Sequence, residues 1–261
     1  LIPIDEDNGI SDYNKIQSFM SDVACLLIQS PNKNGLLEDW EMARSFTENN
    51  TLFIAISDPH ALSIIKSPGD CGADIFVGEG QSLGNPMNYG GPLLGLMAAK
   101  DKYKRKMPGR IIGKTVDANN KNGFVLTLQT REQHIRREKA TSNICTNQGL
   151  LALRATIYLA LMGKNGLRQA AKISYQNAQY AASEIDRLKN YSLKYNNAFI
   201  KEFLIETSYS ADLVVNHCKE HGFIIHRPAE DNSNSLLQIA ITEKRCKQQI
   251  DAFINCLNAV K

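Results

Sequence analysis

The sequence lacks the features that would place it in several classes of protein. No window approaches the ~18 uninterrupted apolar residues of a membrane-spanning helix. The start "LIPIDEDNGI" has neither the basic segment nor the cleavage site of a secretory signal. The six cysteines include no C-x-x-C pair, so neither a zinc site nor a disulfide framework is indicated. A formal net charge of +3 is too small to predict a polyanionic partner by itself. We therefore expect a cytosolic or matrix-like protein with reduced thiols, no metal and no membrane partner.

What the chain does contain is the composition of an ordinary globular protein. Of its 261 residues, 43% are hydrophobic and 22% are charged, which is enough to bury a substantial core. At roughly 150 residues per domain, the length predicts one large domain or two modest ones. The chain begins at Leu1 without a methionine and within a strand-like segment. We therefore expect a fragment that self-associates through unpaired strand edges.

Three short apolar runs predict the central sheet. "VACLLIQS", "TLFIAISD" and "ADIFVGEG" do not alternate and are rich in β-branched or aromatic residues, a pattern typical of parallel strands buried on both faces. Each run ends in polar or glycine-rich sequence. Because ligands of such sheets bind beyond the carboxyl ends of the strands, we expect these three ends to face one crevice.

A helical pattern connects the first two runs. Leu36, Trp40, Ala43 and Phe46 recur at helical spacing, which predicts a strand, a helix and a strand in succession. Further on, residues 110–129 contain two strand-like runs around an Asn- and Gly-rich turn, which predicts a hairpin excursion.

A long helical pattern separates this part from the last third of the chain. It covers residues 146–188 and is broken once around Gly163. We expect an α/β protein in which residues 1–163 form the carboxyl-terminal part of a large domain and residues 164–261 form a small α/β domain. After the long helix, the predicted elements are a strand in "AFIKEFLIE", a helix at 211–219, strands in "GFIIH" and "LLQIAIT", and a helix at 243–259.

Asp58 is the first candidate for chemistry. It closes the run "TLFIAISD" and precedes Pro59, which fixes a turn. A carboxylate at this place can pair with a cationic ring nitrogen or a metal, and it can equally cap a turn or a helix. Together with the "P-N-x-x-G" turn at 31–35 and a glycine-rich loop after the next run, it resembles the large domain of fold type I pyridoxal-phosphate enzymes, which are built like aspartate aminotransferase.

Longer motifs carry a narrower resemblance. "GADIFVGEGQSLGNPMNYGGPLLG", "REQHIRREKATSNICT" and "LMGKNGLRQAA" are similar to the glycine decarboxylase P-protein family of the glycine cleavage system, in its subunit 1 form. The resemblance covers essentially all of this chain, which corresponds to the carboxyl-terminal portion of that subunit. It implies a fold type I large domain, mainly of parallel sheet, with a small carboxyl-terminal α/β domain.

The resemblance gives Gln81 a meaning. In the family's catalytic subunit 2, the matching loop reads His-Lys-Thr before a proline and several glycines, and its lysine forms the Schiff base with pyridoxal phosphate. Gly80, Gln81 and Ser82 occupy those three places here. An amide cannot form an imine, so the resemblance implies that this chain has no catalytic residue of its own and that Asp58 marks a degenerate pyridine-nitrogen position. The alternative is that another lysine serves, with Lys66 and Lys100 the nearest in sequence.

The resemblance also implies a contribution to the partner's site. Thr141, Ser142 and Asn143 offer hydroxyl and amide groups just before the long helix, where they suit contacts with a cofactor held by the partner subunit. Capping of that helix is the other interpretation. Two further sets suit either the subunit interface or ligand contacts: the basic residues Arg131, His134, Arg136 and Arg137, and the glycines Gly90, Gly91 and Gly95.

The function implied by the resemblance belongs to an assembly. With subunit 2, in a heterotetramer, the chain would decarboxylate glycine through pyridoxal phosphate and pass the aminomethyl group to the lipoyl group of H-protein, in the bacterial cytoplasm. Alone it would be inactive. A different hypothesis is a non-catalytic nucleic-acid-binding module that uses the basic stretch 100–139. That stretch has Tyr103 as its only aromatic residue before Phe124 and lacks an RNA-recognition signature, which disfavours nucleic acid as a partner.

Overall fold

The computed structural model of the chain describes residues 1–48, 50–140, 148–229 and 231–261. Within these ranges no helix is both long and apolar enough to cross a membrane. The strands are β1 (Glu6–Asp7), β2 (Ile10–Ser11), β3 (Cys25–Gln29), β4 (Leu52–Ile56), β5 (Ile75–Glu79), β6 (Gly95–Ala99), β7 (Ile111–Val116), β8 (Asn122–Thr127), β9 (Tyr191–Leu193), β10 (Glu202–Thr207) and β11 (Leu236–Ala240).

Long and short helices connect these strands. The α-helices are α1 (Tyr13–Ile16), α2 (Trp40–Ser45), α3 (Gln133–Arg136), α4 (Gly149–Asp186), α5 (Ala211–Glu220) and α6 (Lys247–Asn258). Short 3-10 helices lie at Gln17–Asp22, Ala61–Ser63, Asp101–Lys106, Gln129–Arg131 and Arg137–Lys139. Residues 1–5 lie in no strand, so the expectation that the chain begins within one is wrong.

The central sheet is mainly parallel, as the three apolar runs predict. Its strand order is β3-β4-β5-β6, with β3, β4 and β5 parallel and β6 antiparallel to β5. In β4 the side chains of Phe53 and Ala55 are fully buried, and they pack in one cluster with Trp40 and Ala43 of α2. This helix-covered face holds the core of the large-domain part.

The opposite face of the sheet differs from the prediction. β3 alternates between buried and exposed residues: Leu26 and Ile28 are buried, whereas Leu27 is 50% exposed and Cys25 is also exposed. The expectation that this strand is buried on both faces is therefore wrong for this chain. The sequence of β3 is apolar on both sides, but the described residues cover only one of them.

The predicted first helix is shorter than its apolar spacing indicates. The Asp39 carboxylate accepts a hydrogen bond from the backbone N of Met42 at 2.9 Å, and this cap makes the helix begin at Trp40. Leu36 lies outside the helix, in an isolated bridge with Phe199, and packs into the core of the carboxyl-terminal part. The helical spacing therefore assigns Leu36 to the wrong element. A tight turn at Asn32 keeps Leu36 outside the helix, because the Asn32 side-chain oxygen accepts a hydrogen bond from the backbone N of Leu36.

The carboxyl-terminal part forms a second layered unit. Its antiparallel sheet has the order β11-β10-β9, and helices α5, α6 and the second half of α4 pack on it around fully or nearly fully buried side chains such as Phe203, Ile205 and Leu237. The run "GFIIH" is not a strand, because only His226 makes an isolated bridge, with Gln238. Helix α4 is interrupted at Gly163, whose φ of 59° and ψ of −177° are not helical. Between the two sheets in sequence, β7 and β8 form an antiparallel hairpin.

Candidate functional site

The carboxyl ends of the three parallel strands meet at one crevice, as predicted. A cavity of about 490 Å³ opens there. Each strand contributes residues at or just after its end, and the start of β10 closes the cavity from the carboxyl-terminal part. The lining residues are Gln29, Pro31, Asn32, Ile56, Ser57, Asp58, Val77, Gly78, Glu79, Gln81, Ser82, Lys201 and Glu202.

Asp58 has partners for both of its carboxylate oxygens. Oδ1 accepts hydrogen bonds from Ser82 Oγ at 2.6 Å and from the backbone N of His60 at 3.1 Å. Oδ2 accepts from Lys201 Nζ at 2.6 Å. Burial alone would raise the pKa of this carboxyl group, but the Lys201 ammonium and the hydrogen bonds outweigh it and hold the pKa below its usual value. Asp58 is therefore an ionised, fully bonded carboxylate.

Lys201 is the site residue that sequence reasoning missed. It immediately precedes β10, and its ion pair with Asp58 joins the carboxyl-terminal part to the end of β4. Both side chains are largely buried, with 22% and 21% exposure. Its place inside the apolar run "AFIKEFLIE" could have indicated a site residue, because a charge in a buried strand needs a partner. The sequence does not reveal which carboxylate that partner is.

Gln81 lies in a loop that Glu79 holds in shape. The Glu79 carboxylate accepts from the backbone N of Gln81 and from the backbone N of Leu94, each at 2.9 Å. At Gly80, a Cβ atom would lie 2.8 Å from Leu94 Cδ2, so the loop has no room for a larger residue without displacing Leu94. The loop thus places Gln81 at the cavity and packs closely at Gly80.

These residues do not fit covalently held pyridoxal phosphate. The cofactor needs a free lysine amine at the loop and a free carboxylate facing its ring nitrogen. Gln81 has no amine, and Lys201 engages the carboxylate of Asp58. Lys201 is itself a cavity lysine, but its amine is engaged in the ion pair with Asp58 at 2.6 Å. Lys66 and Lys100 do not line the cavity.

The alternative lysines have other partners. Lys66 pairs with Glu41 on the surface, and Lys100 Nζ lies 3.0 Å from the buried carboxylate of Asp74. Lys102 also faces Asp74, at 3.6 Å. Ion pairing therefore offsets part of the positive charge in the basic stretch 100–139, which further disfavours a nucleic-acid surface.

The other predicted site residues have mixed outcomes. Thr141, Ser142 and Asn143 lie outside the described residues. The Arg131 guanidinium is largely buried, and its Nη2 donates to the backbone oxygen of Gly109 at 2.7 Å. Arg131 Nε and Nη1 have no hydrogen-bond partner among the described residues. Arg136 Nε donates to the backbone oxygen of Thr130 at 3.3 Å.

The glycines after the site loop face open space. A Cβ atom on Gly90 or Gly95 would meet nothing within 4 Å, so close packing within the described chain does not require glycine at either position. Gly90 and Gly91 instead need glycine for their backbone, because their φ angles are 107° and 149°. The loop backbone therefore requires glycine for its conformation, although no described residue packs closely against it at Gly90.

Comparison with known proteins finds similar sequences along nearly the whole chain. A family model described as Glycine cleavage system P-protein matches residues 4–257. "Probable glycine dehydrogenase (decarboxylating) subunit 1" from Chloroherpeton thalassium (strain ATCC 35110 / GB-78) is 49% identical over 256 residues, 96% of this chain and 57% of that protein. The protein of the same name from Prosthecochloris aestuarii (strain DSM 271 / SK 413) is 48% identical over 255 residues, 97% of this chain and 57% of that protein. The chain thus spans a little over half the length of these relatives.

Solved structures of known proteins share the fold of this chain. A crystal structure of glycine decarboxylase (P-protein) of the glycine cleavage system, in inhibitor-bound form, superposes with a TM-score of 0.86 and 38% identity, covering 92% of this chain and 55% of that chain. A NifS-like protein from Rickettsia africae ESF-5 superposes with a TM-score of 0.70 over 98% of this chain and 68% of that chain. That protein is 14% identical, so the second likeness shows the fold alone.

Proposed function

Because the chain belongs to the glycine cleavage system P-protein family, we propose that it is part of the non-lysine subunit of a glycine decarboxylase. In this proposal the partner subunit holds pyridoxal phosphate, and this chain completes the assembly without binding the cofactor covalently. The observation that carries the proposal is Gln81 in the loop where a lysine would be needed, beside an Asp58 carboxylate already paired with Lys201.

The reaction takes place in the assembly. When bound to the partner subunit, pyridoxal phosphate would supply the electron sink for decarboxylation of glycine, and lipoylated H-protein would receive the aminomethyl group. Residues of this chain wall the crevice and stabilise its polar groups: Lys201 neutralises Asp58, and Glu79 shapes the loop. A cytoplasmic location and a heterotetrameric stoichiometry accompany this proposal as predictions.

An exposed apolar surface supports a partner subunit. We define the uncovered surface as the exposed apolar side chains of three segments, namely the loop before β6, the hairpin β7–β8 and the first half of α4. More large apolar side chains are exposed there than is usual on the surface of a monomeric soluble protein. They are Met87, Tyr89, Leu93, Ile112, Val116, Phe124, Val125, Leu150, Leu153, Ile157 and Leu161.

The position of this surface relates it to the crevice. The loop that carries Met87 and Tyr89 is the same loop that begins at Gln81, and Leu83 and Leu94 of that loop pack on Leu151 and Ala155 of α4. A partner that covers the uncovered surface would therefore contact elements that shape the crevice wall. This supports a contribution to a shared active site.

Reconstitution tests the proposed function. The chain, subunit 2 and lipoylated H-protein are mixed, and glycine-dependent exchange of carbon dioxide is measured. We expect no exchange from this chain alone and exchange that depends on both subunits. Exchange by subunit 2 and H-protein that is unaffected by this chain would contradict the proposal.

Chemical trapping tests the absence of a covalent cofactor site. Pyridoxal phosphate is added to the chain, borohydride reduces any imine, and peptide mass spectrometry locates the product. We expect no stoichiometric adduct on any lysine. Gln81→Lys should not create an efficient enzyme, since one amine does not supply a preorganised pocket. Trapping on Lys201 in the unaltered chain, lost in Lys201→Met, would overturn the assignment.

The segment at 141–143 keeps its predicted role in the partner's site. Asn143→Ala and Thr141→Val remove polar groups with small changes in volume, so we expect nearly unchanged folding and a lower rate in the reconstituted complex. If both variants bind subunit 2 normally and their complexes retain the unaltered rate, the segment serves only as the entry to α4.

A further inference from the structure

Three potential metal ligands meet where the ends of α5 and α6 pack together. His217 lies in the last turn of α5, His221 is its C-cap residue, and Cys256 lies near the end of α6. One imidazole nitrogen of each histidine and the Cys256 sulfur all lie within 4.8 Å of one another. The two histidines are four residues apart, which places both side chains on one face of the helix.

His217 has a nitrogen that lacks a partner. Its Nε2 is buried and forms no hydrogen bond with any described residue. A buried polar atom without a partner destabilises the fold, so such atoms usually have an unrecognised ligand, ion or water. A metal ion at the cluster would accept the lone pair of this nitrogen.

His221 is held in an orientation typical of metal-binding histidines. Its Nδ1 lies 2.8 Å from the backbone oxygen of His217. Because a carbonyl oxygen can only accept a hydrogen bond, this contact favours a proton on Nδ1 and leaves the lone pair on Nε2. A hydrogen bond from the other ring nitrogen to a carbonyl is the usual way in which proteins orient a metal ligand.

The helix end at which the cluster lies also favours a cation. The cluster lies at the carboxyl-terminal end of α5, which carries the negative end of the helix dipole. The surface depression beside His217 is lined by both Glu220 and Lys261, which carry opposite charges. The imidazole rings, with centroids 4.3 Å apart, are arranged as a compact pair.

We propose that His217, His221 and Cys256 form a Zn²⁺ site that joins the carboxyl-terminal ends of α5 and α6. Two imidazoles and a thiolate are the ligand types that Zn²⁺ prefers, and three protein ligands leave the fourth tetrahedral position to water. The sequence does not indicate this site, because Cys256 is far along the chain from both histidines. The site is separate from the crevice, with no lining residue in common.

Metal titration of the full chain tests the site. The protein is kept reduced with a thiol-free reductant, and binding of Zn²⁺ is measured by calorimetry and by metal content after dialysis. We expect one Zn²⁺ per chain and a rise in Tm, because a ligand that binds only the native state stabilises it. Co²⁺ in place of Zn²⁺ should give the intense absorption of a thiolate-bound tetrahedral ion. Mg²⁺ should not compete, since it prefers oxygen ligands.

Variants locate the binding. His221→Gln and Cys256→Ser should each lower Zn²⁺ affinity by more than the about 10- to 100-fold typical for loss of a residue that only orients a ligand. His221 is exposed, so its variant should fold normally even if Cys256→Ser does not. His226→Gln and Cys25→Ser, at exposed positions outside the cluster, are the matched controls and should retain full affinity. No stoichiometric Zn²⁺, or equal affinity in all four variants, would overturn the proposal.

Discussion

Apolar side chains are buried in the carboxyl-terminal unit but exposed on the uncovered surface. In the carboxyl-terminal unit, residues such as Phe203, Val214 and Leu257 are buried within the chain. On the uncovered surface, residues of the same types, such as Phe124 and Leu161, point into solvent. The first region obtains its stability from contacts inside the chain, whereas the second has apolar area that only another surface can bury.

The largest expected effect is in the carboxyl-terminal core. Phe203 is 1% exposed and packs against Phe199, with the two rings tilted and their centroids 5.0 Å apart. Phe203→Ala should lower the free energy of unfolding by about 3–5 kcal/mol, since it deletes a ring and leaves a cavity. Phe124→Ala, at 71% exposure, should change it by less than about 0.5 kcal/mol. Urea unfolding measures both, and similar losses would remove the distinction between the regions.

The ion pair that joins the two parts should have the next largest effect. Lys201→Met leaves the Asp58 carboxylate with Ser82 and the His60 backbone as its remaining partners, so we expect a loss of about 1–3 kcal/mol in the free energy of unfolding. The pKa of Asp58 should rise, because burial then acts without the opposing ammonium. The control is Lys66→Met in the exposed pair with Glu41, which should change stability little.

The pH dependence of stability should report the buried histidine beside the crevice. Burial lowers the pKa of His60 from its ordinary value of 6.5, and its Nε2 has no partner among the described residues. The unfolded chain therefore binds a proton at a higher pH than the folded chain. Neutral His60 therefore favours the folded state fully above about pH 6.5. This contribution to the free energy of unfolding is lost as the pH falls through the lower pKa of His60 in the folded chain.

The test compares unfolding free energies at several pH values. The unaltered chain should lose stability below about pH 6.5, and His60→Gln should show a smaller decline over the same window. The pKa of Asp58 is also lowered, from its ordinary value of 3.8. The stability that ionised Asp58 contributes is therefore lost only as the pH falls below that value, outside the window of His60. A decline in His60→Gln that matches the unaltered chain would assign the effect to other groups.

The smallest effect on stability is expected on the uncovered surface itself. Leu161→Ser should leave the free energy of unfolding within about 0.5 kcal/mol but weaken binding to subunit 2 and reduce self-association of the chain alone. Ile224→Ser is the matched control, because Ile224 is 95% exposed but lies outside the uncovered surface. Analytical ultracentrifugation measures both associations. Equal effects of the two substitutions would show that exposure alone, without position, drives association.

Much of the fold could be predicted from short-range patterns. The runs of β3, β4 and β5 predict strands because consecutive β-branched and aromatic residues suit a buried strand. The crevice followed from the rule that parallel strands end at the same edge of a sheet. The length of α2 and the place of Leu36 could not be predicted, because the Asp39 cap and the Asn32 turn outweigh apolar spacing at this position.

The sequence by itself determined the chemical identity of the site loop. Gln81 bears an amide wherever the loop lies, and no fold can give it the reactivity of an amine. Tertiary structure alone decided which groups surround that loop. Lys201, which precedes β10 far along the chain, neutralises Asp58, and His217, His221 and Cys256 approach one another only when α5 packs on α6. Such contacts depend on how separate elements pack, and the order of residues along the chain does not specify the partner of a buried charge or of an unpaired imidazole.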